Sequence, residues 1–100
     1  MFHKEGKRYP AVSDEGFRVD RKGSPITQIV LVYIEGDHFL EYPLENLMPG
    51  SIDPIIVSEI GKWNPPFNDE PIPDDKRKQI AERIVAAVTF VGDKAKVVYK

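Results

Sequence analysis

One segment of this chain reads as a helix, and it comes late. In residues 74–91, "DDKRKQIAERIVAAVTFV", Ile84, Ala87, Val88 and Val91 follow Ile80 at offsets of 4, 7, 8 and 11, which aligns all five on one stripe. Pro65, Pro66, Pro71 and Pro73 precede it, and each disfavours helical backbone in the residue before it, so the chain is expected to stay extended up to Asp74. Asp74 and Asp75 favour the positive end of the helix and are expected to cap it, while Gly92 stands where a C-terminal glycine belongs. A lone helix with one apolar stripe must bury it against something else, and the rest of the chain offers strands.

Residues 7–12 and 17–20 read as strands around the turn Ser13-Asp14-Glu15-Gly16, followed by loop chemistry at 21–25. The clearest strand is 27–34, "TQIVLVYI", whose run of β-branched residues predicts a central strand covered on both faces. Glu35-Gly36-Asp37 turns the chain into a partner at 38–44. There Leu40, Tyr42 and Leu44 alternate with Phe39, Glu41 and Pro43, and Pro43 points to an edge strand or a strand end. A loop at 46–51, a strand at 52–60 and an irregular stretch at 61–73 precede the helix. Ala95, Val97 and Tyr99 then alternate with Lys94, Lys96 and Lys100 in a final strand. The expectation is one α+β domain over residues 1–100: a mostly antiparallel sheet of five or six short strands, packed against the helix and followed by the last strand.

A chain of 100 residues builds a modest core, and a dimer interface would help it bury more apolar surface. It has no cysteine, which excludes disulfides and thiolate metal sites and fits a reducing compartment. No stretch approaches a membrane span, and "MFHKEGKRYP" lacks the apolar run of a signal peptide, so a cytoplasmic location is expected. The net charge of -2 conceals an asymmetry: residues 35–75 hold ten acidic side chains against Lys62 alone. Glu35, Asp37, Glu41 and Glu45 open that block. If the fold keeps it on one side, that side attracts a cationic partner; the plainer reading is a solvated surface.

The stretch "WNPPFNDEPIP" has no PxxP spacing and no PPxY motif, so polyproline recognition is not indicated. Trp63 and Phe67 have two uses, as plugs over one end of the core or as interface anchors. No serine lies in a G-x-S-x-G elbow, and no Walker, dinucleotide, zinc or calcium pattern appears, so no cofactor is expected. His38, flanked by Asp37 with Glu35 and Glu41 nearby, is the one residue on which a small hydrolase could be built; the plainer reading is a half-exposed strand histidine, since Asp37 and His38 point to opposite faces at period 2. Lys4, Lys7, Arg8, Arg18, Arg21 and Lys22, with Tyr9, Phe17 or Tyr99 to stack on bases, would be a nucleic-acid surface. A pI near 5.6 opposes it.

Over residues 17–99, "LVYIEGDHFLEYPLE", "SEIGKWNPPF" and "PDDKRKQIAERIVAAVTFVG" together resemble small bacterial proteins similar to the immunity proteins of polymorphic toxin systems. The resemblance implies a non-enzymatic domain that binds and neutralises one cognate toxin, and it transfers no individual site residue. Beside it, the acidic block suits a basic toxin cleft. The expected function is therefore a protein-interaction module binding through Glu35, Asp37, Glu41, Glu45, Trp63 and Phe67. The alternative is a structural domain that pairs as a homodimer.

Overall fold

The computed structural model of the chain describes residues 1–4, 6, 8–23, 28–44 and 52–100. Five strands form an antiparallel sheet in chain order: β1 (Phe2–Lys4), β2 (Ala11–Ser13), β3 (Phe17–Lys22), β4 (Val30–Glu35) and β5 (His38–Pro43). After β6 (Asp53–Ile56) and a single 3-10 turn at Val57–Glu59 comes the helix α1 (Asp74–Phe90), then β7 (Ala95–Val98). The α+β class, the one helix and the closing strand are as the sequence predicts.

The last strand does not join the main sheet. It pairs in parallel with β6, Asp53 opposite Ala95 through Ile56 opposite Val98, and α1 lies in the crossover that parallel neighbours require. The Tyr42 hydroxyl joins this small sheet to β5. It accepts the Ile56 N–H at 2.9 Å and donates to the Pro54 carbonyl at 3.4 Å.

Several boundaries move for identifiable reasons. The strand expected at 7–12 begins only at Ala11, after Pro10, which has no N–H to give a ladder. An unexpected strand, β1, pairs beside it because Phe2 finds ring partners in Phe17 and Phe90. Strand β3 runs on through Arg21 and Lys22, read above as loop, because Leu31 and Val30 of β4 supply ladder partners. The stretch 52–60 breaks into β6 and the 3-10 turn, and Tyr99 lies beyond β7, 60% exposed, with its hydroxyl donating to Glu82. Lys7, Ser24 and Pro25 of the expected loop, Thr27, Glu45 and the loop at 46–51 fall outside the described residues.

The helix stripe is as expected: Ile80, Ile84, Ala87, Val88 and Val91 are all buried, joined by Ala81. They meet the inward side chains of the sheet, among them Val19, Leu31, Tyr33, Leu40 and Tyr42. Neither aspartate caps the helix. Pro73 occupies the N-cap, and Asp75 accepts only the N–H of its neighbour Lys76. At the other end Gly92, at φ 97°, donates to the Thr89 carbonyl while Asp93 donates to Val88, so the glycine does close the helix.

Strand β4 departs from expectation in the cover of its outer face. Its inward Leu31 and Tyr33 are buried, but Val30, Val32 and Ile34 on the other face are only half-buried, because α1 occupies the opposite side of the sheet. Coverage of both faces is not what the fold provides.

Strand β3 ends at Gly23, where φ is 91° and a Cβ would stand 1.7 Å from the Gln28 carbonyl oxygen. Gly23→Ala is expected to cost about 2–4 kcal/mol, a positive-φ penalty compounded by a backbone clash. Urea unfolding would measure it, and a loss under about 0.5 kcal/mol would contradict this geometry.

Candidate functional site

Antiparallel connectivity puts the β2–β3 and β4–β5 turns at the same end of the sheet, and most of the singled-out residues gather there. Seven rings form a continuous row beneath that end. Phe90 stacks on Phe2 at 5.5 Å and Phe2 meets Phe17 edge-on at 5.6 Å. Phe17 stacks on Tyr33 at 5.7 Å and Tyr33 on Trp63 at 6.2 Å. Trp63 meets the His38 ring edge-on at 5.0 Å, and His38 lies flat on Phe67 at 3.8 Å. Offset and edge contacts of this kind add to the area each ring removes from water.

Trp63 is 5% exposed and is therefore a core plug rather than an exposed anchor; Phe67 is half-buried beside it. The segment carrying both is tied to the sheet edge, since the Asn64 N–H donates to the Phe39 carbonyl at 2.8 Å. His38 Nε2 lies 2.8 Å from Glu70 Oε2. Its carboxylate partner is thus neither Asp37 nor Glu41 but a residue from the far side of the proline-rich loop. No local spacing could have revealed that contact.

The acidic residues do not form one face. Glu35 points inward, 31% exposed, and accepts from Lys76 Nζ at 2.8 and 2.9 Å, from Arg83 Nη1 at 3.1 Å and from the Tyr33 hydroxyl at 2.5 Å. Arg83 also donates to the Tyr33 oxygen and lies over the Phe17 ring. Partial burial alone would push the Glu35 carboxyl up. The hydrogen bonds from Lys76 and Tyr33, with the charges of Lys76 and Arg83, outweigh it and hold the carboxyl below its usual range. Burial and the Glu35 contact push the Tyr33 phenol up, so it remains a neutral donor.

Glu41 lies on the opposite face, paired with Lys22 and accepting from Asn64; those two contacts lower its pKa. Asp37 is exposed at the turn, and Glu45 lies outside the described residues. The expected four-carboxylate surface is therefore divided by the pleat of the hairpin.

What the turn end does present is a different combination. On the outer face, Val12, Arg18, Ile34 and Phe39 lie in one cross-strand row, with Val32 and Val30 behind Ile34 on β4. The Lys22–Glu41 pair closes across β4 over the two valines, laying its aliphatic stems on them. Nearer the turns a shallow hollow of about 230 Å³ opens between Val12, Gly16, Arg18, Ile34 and Gly36. Glu15 of one turn and Asp37 of the other are exposed at this rim, with Asp14 paired to the N-terminal ammonium; Glu70, held by His38, lies with Asp69 on the helix side of the sheet.

Among the described residues, no three His, Asp or Glu side chains converge where a metal ion would sit, and no helix is long and apolar enough to cross a membrane. Comparison with known protein families, with curated proteins and with solved structures returned no match.

Proposed function

We propose that this chain is a non-enzymatic protein-interaction module that docks a basic protein partner on the outer, turn-end face of its sheet, as an immunity protein would dock a toxin. The observation that carries this reading is the outer face of β4. An antiparallel sheet with one side open to water normally alternates apolar-in and polar-out, yet here Val30, Val32 and Ile34 face outward beside Phe39 and Val12. Apolar surface rimmed by charge is a mark of recognition surfaces. The rim supplies the sign: Asp14, Glu15 and Asp37 lie in the two turns that border the hollow and would steer a cationic partner.

The test is capture from source cells with paired variants. Wild-type protein is expected to retain one near-stoichiometric basic protein. Ile34→Lys should weaken that complex about thirtyfold, the scale of losing a central contact of about 2 kcal/mol. Asp37→Lys with Glu15→Lys should weaken it less and flatten its salt dependence. These two are better probes than Glu35 or Glu41, whose internal pairs a reversal would break. Binding indifferent to Ile34 and to salt would sink the proposal. Light scattering separates the other occupant: a dimer split by Ile34→Lys would mean that a second copy covers the face, and the homodimer reading would replace this one.

A further inference from the structure

The two-stranded sheet is sealed on one edge and open on the other. On the β6 side the Pro54 carbonyl and Ile56 N–H, which point away from β7, are both taken by the Tyr42 hydroxyl. On the β7 side the Lys94 carbonyl accepts the Asp53 N–H, and the parallel register from there turns the main chain of Lys96 and Val98 toward β6 as well. Alternation then directs the N–H and C=O groups of Ala95 and Val97 to the opposite edge. Among the described residues no strand pairs there.

We propose that this free edge of β7 adds an extended acidic peptide as a further strand, a binding site separate from the outer face of the main sheet. The main chain would supply the register, and the side chains on either side of it select the sequence. Ala95 and Val97 pack toward the core, so an incoming strand carries apolar residues at the positions beside them. Lys94 and Lys96 lie exposed on the other face, with Lys100 beyond, so its alternate residues carry carboxylates. The same lysines exclude the cheapest competitor. Pairing with β7 of a second copy would bring two lysine rows together, which is how edge strands avoid indiscriminate association.

The experiment is fluorescence polarisation with three dye-labelled peptides: alternating Glu-Val, the same peptide N-methylated at alternate residues, and alternating Lys-Val. The Glu-Val peptide is expected to bind, and N-methylation to weaken it at least about tenfold by removing ladder donors. Lys94→Glu combined with Lys96→Glu should weaken the Glu-Val peptide by a similar factor and admit the Lys-Val peptide instead. Both positions are exposed, so the fold should persist, and unchanged Trp63 emission would verify it. No binding of the Glu-Val peptide, or equal binding of its N-methylated form, would overturn the proposal; the second result would reduce it to bare charge attraction.

Discussion

Replacing Trp63 with alanine is expected to lower stability by about 3–5 kcal/mol, a large part of what a domain of this size possesses. The indole is nearly inaccessible, stacks on Tyr33 and meets the His38 ring edge-on. Its removal leaves a cavity between the sheet and the proline-rich segment that neither can collapse to fill. The prolines stiffen one side, and the Asn64–Phe39 hydrogen bond fixes its distance from β5. Phe67→Ala, at a half-buried position, should cost markedly less. Urea unfolding followed by circular dichroism gives both numbers. In the wild-type protein, emission from this single tryptophan should be blue-shifted and resistant to quenchers. A Trp63→Ala variant within about 0.5 kcal/mol of wild type would mean that the indole is not a plug at all.

The same loop shows where sequence reading succeeds and where it stops. The stripe from Ile80 to Val91 was legible because helical periodicity is local, and so were the inward positions of Leu40, Tyr42 and Leu44. The fate of the carboxylates was not. Glu35 and Glu41 sit close in sequence inside one acidic run, yet the register Glu35 opposite His38 and Val32 opposite Glu41 sends them to opposite faces. Reading that needs the faces of β4, and a run in which every residue is apolar gives no alternation from which to assign them. The parallel pairing of β6 with β7 and the His38–Glu70 contact are non-local in the same sense. Partners brought together by a helix crossover or a folded-back loop leave no spacing in the chain.

The β-branched run of β4 is the most informative mismatch. Read alone it predicts a strand covered on both sides, and the fold supplies cover on one. Local pattern and global structure usually agree, so a disagreement confined to one face is where a functional surface is expected. The face also has a firm base. The aromatic row and the Glu35 cluster lock the underside of β3, β4 and β5 to α1, so a partner would meet a surface that need not reorganise.

Acid should loosen that base through one residue. The Glu35 carboxyl has its pKa lowered in the folded protein, so its ion pairs contribute stability that is fully present above the ordinary carboxylate value of about 4.3 and is lost as the pH falls through the folded value. Glu35→Gln keeps the shape and deletes the charge. It leaves Lys76 and Arg83 facing a neutral amide and is expected to cost about 2 kcal/mol at pH 7. Below the folded pKa of Glu35 the wild-type protein carries a protonated acid at the same place, so the two stability curves should converge as the pH drops from about 5 toward 3. Tyr33 does not disturb the comparison, because its phenol, pushed upward by burial, stays neutral across the range. Urea unfolding at a series of pH values would trace both curves. A gap between them that stays constant down to pH 3 would show that Glu35 acts through shape rather than charge. The link between β4 and α1 would then rest on Tyr33, Arg83 and the ring of Phe17.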